Sequence, residues 1–249
     1  MSFIRPFIKR WLLRRDIIIS RPPGQFEIGK VKLARLRDRG FKCRLAIDGG
    51  ADEGAWAANF LSTYPDAQVL CIEPRANAQP ALESLAKQRP GIHIARTLVG
   101  AAEGEVEFNE SGAQSSMLKN SRGDSFGQTT RHPITTLDKL IERKGLPQPD
   151  LIKLDLQGAE LEALRGAPRS LEAAQAVLLE VSFIAFQEGT PLAAEVIAFM
   201  QQRGFRIYDI FALWHRPLDG ALAQGDFLFM KEGHSLLADR RWSADTGWA

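Results

Sequence analysis

Apolar side chains first recur at helical spacing, at Phe3, Ile4, Phe7, Ile8, Trp11 and Leu12, which predicts a helix over residues 3–13. Arg21-Pro22-Pro23-Gly24 breaks the chain, and a second, charged helix is expected from Glu27 to Arg39, stopped by Gly40. From there apolar runs of strand length alternate with amphipathic stretches. Strands are read at Arg44 to Asp48, Gln68 to Glu73, Gly91 to Leu98, Gly104 to Glu110, Leu151 to Asp155, Ala176 to Ser182, Phe205 to Ile210 and Asp226 to Lys231. Helices are read at Ala55 to Thr63, Asn77 to Gln88, Thr135 to Lys144, Ala159 to Arg165 and Leu192 to Arg203. Ser111 to Gln128 is rich in Ser, Gly, Asn and Gln and reads as a long loop, a candidate for function. The alternation implies an α/β fold, a Rossmann-like, mostly parallel sheet with helices on both faces. No helix separates the last two strands, so the final one is expected to be antiparallel. The expected division is a helical extension over residues 1–40, a main domain over 41–233 and a tail over 234–249.

Composition supports one well-buried domain: 45% of the 249 residues are hydrophobic and 25% charged. The net charge of +2 gives no whole-protein case for nucleic acid as a partner. Charge is local instead. Arg5, Lys9, Arg10, Arg14 and Arg15 carry the first fifteen residues with no acid among them. That basic amphipathic segment has two readings: peripheral contact of residues 3–15 with an anionic membrane surface, or packing on its own domain or a partner subunit. No apolar stretch reaches the ~20 residues of a span, and no cleavable leader is evident. A cytoplasmic protein is expected, with the inner membrane surface as its membrane if the first reading holds. Cys43 and Cys71 sit in or beside apolar runs and read as reduced thiols. The four histidines show no metal-ligand spacing, so a metal-independent protein is expected.

Three segments carry chemistry. Ala46-Ile47-Asp48-Gly49-Gly50-Ala51-Asp52-Glu53-Gly54 follows a strand and opens a helix. Its glycines let backbone approach a ligand closely, but Gly49, Gly50 and Gly54 do not give the dinucleotide spacing. Asp48, Asp52 and Glu53 would repel a pyrophosphate and suit a ligand carrying an ammonium and a sulfonium. Glu73, followed by Pro74, ends the next strand 25 residues after Asp48. An acid there can accept both ribose hydroxyls of a nucleoside. The third segment runs from Asp150 to Glu160. Lys153 and Asp155 share one strand face, as Glu180 and Ser182 do on the next strand. Buried charges need partners, and a Lys153–Glu180 pair is expected beneath the pocket floor.

These segments resemble the FkbM family of methyltransferases. The likeness covers the turn from Asp48 to Gly54, Glu73-Pro74, Gln114-Ser115-Ser116, Thr136-Leu137-Asp138, the run from Leu151 to Glu160, Leu178 to Ser182, and Gly204-Phe205, and it spans about Leu45 to Lys231. It implies a class I methyltransferase sheet, S-adenosyl-L-methionine as donor, and transfer to a hydroxyl of a sugar, glycolipid or polyketide-like secondary metabolite, the acceptor being a small molecule, a glycan or lipid-linked. This chain departs from the family in having Asp52 where the turn usually has Asn.

Donor contacts are expected from Asp48, Gly49, Gly50, Asp52, Gly54, Glu73, Pro74, Val99 and Asp155. Asp155 is the first candidate base, with Lys153 beside it and His132 and His215 as runners-up in loops. Ser115, Ser116, Glu180, Ser182 and His215 are expected around the acceptor. An NAD-dependent oxidoreductase and a non-catalytic donor-binding module remain as alternatives at this point.

Overall fold

The computed structural model describes residues 25–112, 115–119, 128–239 and 241. The helix expected over residues 3–13, and Gln114, lie outside the described residues.

Seven strands form the main sheet. They are β1 (Leu45–Gly49), β2 (Gln68–Ile72), β3 (Ile92–Ala95), β7 (Leu151–Leu154), β8 (Ala176–Ser182), β9 (Phe205–His215) and β10 (Leu222–Lys231), in the order β3-β2-β1-β7-β8-β10-β9. All neighbours run parallel except β10, which is antiparallel to both β8 and β9. The single antiparallel strand is therefore slotted one place in from the edge. Chain order reverses between β1 and β7, the switch point at which ligands bind in open sheets of this kind.

Strand parity then sorts the side chains. Leu45, Ile47, Ile152, Leu154, Val177, Leu179 and Phe229 build the core on one face. Ala46, Val69, Cys71, Leu151, Leu178 and Leu228 build it on the other. With period two, Asp48, Glu73, Lys153, Glu180 and Asp226 fall on that second face, near the carboxyl edge of the parallel strands. Both cysteines are free thiols, and burial pushes them up.

On the second face pack α1 (Gln25–Asp38) and α2 (Ala55–Thr63). Leu33 and Leu36 of α1 are buried in the same cluster as Phe41 and Phe60, and Lys32 reaches Asp209 of β9 at 2.7 Å. The boundary expected at residue 40 thus falls inside a packed unit. The same is true at the other end, where Leu236 is buried in that cluster and His234 lies against Phe41. Among the described residues no helix is long and apolar enough to cross a membrane.

The first face carries α4 (Leu137–Lys144), α5 (Glu160–Arg165), α6 (Pro168–Ala173) and α7 (Ala193–Gln201), and α3 (Gln79–Gln88) packs on β3. Thr136 caps α4 by accepting from the Lys139 amide at 3.3 Å. Asp138 caps a different helix: it accepts from the Arg169 and Ser170 amides, both at 2.9 Å, at the start of α6. The Thr136-Leu137-Asp138 segment is therefore a structural clasp between two helices.

A second sheet was not legible. β4 (Leu98–Val99), β5 (Gly104–Glu110) and β6 (Gln128–Thr135) form it in the order β4-β6-β5. The strand expected from Gly91 to Leu98 is in fact two, because Leu98 pairs with Ile134 in the small sheet and leaves β2 behind. Thr135 likewise belongs to β6, and the helix expected from it begins at Leu137.

Candidate active site

The turn after β1 is compressed against the end of β7. A Cβ on Gly50 would lie 2.0 Å from the Asp155 carbonyl oxygen, and its φ is +72°. No other residue fits there without moving β7. Gly54 (φ +86°) caps α2, while the Gly50 and Ala51 amides donate to the Ile72 carbonyl of β2. Asp52 takes the left-handed region at φ +47°, which turns its amide onto Glu73 Oε2 at 3.0 Å.

Glu73 is nearly buried, and Arg75 grips it from the other side. The Arg75 amide and Nε donate to Oε1 at 3.0 and 2.9 Å, and Nη2 donates to Oε2 at 3.2 Å. The same Nη2 meets Asp52 Oδ1 at 2.5 Å. Burial alone would lower the Arg75 guanidinium, but Glu73 and Asp52 outweigh it and keep it charged. Arg75 is a site residue that sequence reasoning missed. Its only signal was adjacency to Glu73-Pro74.

Lys153 departs from expectation. It pairs with Asp48, Nζ to Oδ1 at 2.9 Å, and not with Glu180. The register explains this: Asp48 and Lys153 are direct partners across β1 and β7, whereas Lys153 lies opposite Leu178 on β8. Asp48 is fully buried, and its oxygens have no contact of hydrogen-bond geometry. Burial pushes Asp48 up, with Lys153 pulling against it. Burial works to lower Lys153 as well, yet Asp48 and Asp155 together leave it raised and cationic.

A cavity of about 310 Å³ opens over these elements. Gly50, Asp52, Glu73, Pro74 and Val99 line its first half, from the turn to β4, and Lys153 and Asp155 its middle. Ser115 and Glu180 line it too, as do Trp56, Arg75, Trp214 and Asp226, none of which the sequence had singled out. Gly49, Gly54 and Asp48 shape the turn without facing the cavity. Ser116 also stays off the wall. Its hydroxyl donates to the Gln157 carbonyl at 2.9 Å and pins the loop there.

Gln157 joins the two acids. Its Nε2 donates to Asp155 Oδ1 and to Glu180 Oε2, each at 2.9 Å, from a left-handed backbone at φ +53°. Burial, then Asp155, Glu160 and Asp226, push Glu180 up to about 10. Burial, then Asp155, push Asp226 up to about 6. Glu160 lies outside the cavity and caps the turn through the Leu156 and Gly158 amides.

Three further expected residues lie away from the cavity. His132 lies in strand β6, not in a loop, bonded to Thr130 Oγ1 at 2.8 Å and Glu110 at 3.2 Å. His215 ends strand β9 in an exposed position. Ser182 is buried beside Leu192, two residues past Glu180.

A glycine turn at the switch point, an acid at the end of the neighbouring strand and one antiparallel strand in an otherwise parallel sheet define an S-adenosylmethionine-dependent methyltransferase. Residues 48–207 match the model of the methyltransferase FkbM domain, so the chain belongs to that family. It is 26% identical over 164 residues to the 2-O-methyltransferase NoeI of Sinorhizobium fredii, covering 59% of this chain and 68% of that one. It is 27% identical over 116 residues to the hexuronic acid methyltransferase AglP of Haloferax volcanii, covering 46% and 47%. A solved structure of precorrin-6y C5,15-methyltransferase from Geobacter metallireducens is similar at a TM-score of 0.49 and 12% identity, over 82% of this chain and 87% of that one. The methyl donor is S-adenosyl-L-methionine.

Proposed function

We propose that this enzyme methylates a hydroxyl of a sugar or glycan. The observation that carries it is the pair of carboxylates, Asp155 and Glu180, that Gln157 holds side by side next to the donor turn. Carboxyl oxygens accept hydrogen bonds from hydroxyl groups, and a protonated carboxyl donates one as well. The names of the two relatives, a 2-O-methyltransferase and a hexuronic acid methyltransferase, agree with such an acceptor. The AglP match spans about half of that protein's length.

In this reading Gly50, Asp52, Glu73, Pro74 and Val99 hold the donor, with Glu73 beneath the ribose. The donor supplies a methyl group on a sulfonium. Lys153 neutralises Asp48 beneath the turn, and the enzyme's remaining task is to align the acceptor oxygen and take its proton. Asp155, at the end of β7 nearest the turn, is the base. Asp155→Asn tests this directly. Turnover should fall by about 10²-fold or more while S-adenosylhomocysteine binds as before. Unchanged turnover removes Asp155 from the mechanism.

A further inference from the structure

Past Asp155 the sheet continues through β8, β10 and β9, and each contributes a side chain to the cavity wall: Glu180, Asp226 and Trp214. Glu180 and Asp226 are direct partners in antiparallel register. That puts their Cβ atoms about 5 Å apart on one face, where like charges destabilise a strand pair. Local rules broken this way concentrate at functional sites. Among the described residues the Asp226 carboxylate accepts no hydrogen bond.

The cations that line the cavity answer other groups. Lys153 is committed to Asp48, and Arg75 to Glu73 and Asp52. Lys30 is an exposed side chain of α1. Trp214, 44% exposed, adds a flat apolar surface beside the two acids.

We propose that this half of the cavity is the acceptor subsite, built for an uncharged polyhydroxylated ring, with Asp226 as the residue that selects it. This rests on the sugar-hydroxyl reading above. Adjacent hydroxyls donate to the carboxylates while the C–H face of the ring lies on Trp214. A uronate would bring another negative charge against Asp155 and Asp226 in a part-buried wall where charges interact strongly. Burial pushes Glu180 up, so the wall offers an O–H donor beside carboxylate acceptors, and hydroxyls both donate and accept.

The test is methyl transfer to methyl glucoside and methyl glucuronide, read as mass-shifted product. The neutral glycoside should exceed the glucuronide in kcat/KM by about tenfold, the size of one lost hydrogen bond to a charged group. Asp226→Asn should raise KM for the neutral glycoside by about as much, with S-adenosylhomocysteine affinity in calorimetry within twofold of wild type as proof of folding. Asp226→Lys should turn the preference toward the glucuronide. Preference of the wild type for the glucuronide, or an unmoved KM in Asp226→Asn, overturns the proposal. Methylation of neither glycoside, with S-adenosylhomocysteine still binding, overturns the sugar reading itself.

Discussion

The two halves of the cavity handle buried charge in opposite ways. On the side proposed for the donor each acid has a partner: Glu73 is wrapped by Arg75 and the Asp52 amide, and Asp48 faces Lys153. On the side proposed for the acceptor Glu180 and Asp226 face each other across adjacent strands. A half that always receives the same ligand can be neutralised in advance. A half that must recognise a partner through its hydroxyls keeps unsatisfied oxygens for it. The difference teaches where stability was given up, because paired charge holds a fold together and opposed like charge strains it.

The largest effect should come from breaking the paired half. Lys153→Met strands Asp48 as a buried unpartnered carboxylate, and such losses run about 3–5 kcal/mol. Denaturant unfolding measures it, and a loss below about 1 kcal/mol would mean that Asp48 is already neutral. The strained half should respond the other way. Glu180→Gln removes a group whose pKa rises on folding to about 10. Its stabilising contribution is complete below the unfolded carboxylate value, near pH 4.5, and drains away as pH climbs toward 10. Wild type should therefore lose melting temperature from pH 6 to 9 relative to Glu180→Gln, and parallel curves would refute the strain. The smallest effect is expected at the rim. Asp52 is 57% exposed, so Asp52→Asn should cost under about 1 kcal/mol, and because position 52 holds the donor site through its backbone amide on Glu73, donor affinity should change little in calorimetry. A large loss would place Asp52 among the essential donor contacts.

Much of this was legible in the sequence. Apolar runs with strand parity gave the alternating sheet, and the acidic turn that lacks dinucleotide spacing marked one wall of the cavity. What escaped depends on order in space. Lys153 has an acid within reach on either side, and only the register of β1 against β7 selects Asp48 over Glu180. Asp226 comes 46 residues after Glu180 in sequence and meets it because β10 slots in beside β8. The small sheet hid for a local reason: β6 reads Gln-Thr-Thr-Arg-His-Pro-Ile-Thr, an exposed strand with little apolar content to reveal a period. Arg75 follows Pro74 in a loop, where pattern says nothing about side-chain direction.

Gln157 shows how narrowly a single position can be specified. Its left-handed backbone would sit most easily on Gly or Asn, and any other residue there costs about 1 kcal/mol. Glycine has no amide to offer, and asparagine is one methylene shorter in reaching Asp155 and Glu180 together. The same residue's carbonyl also anchors Ser116. The Ser116 anchor and the alignment of the two acids therefore hang on one residue: a substitution that relaxed the backbone at 157 would loosen the Ser116 contact and misalign the acids in the same stroke.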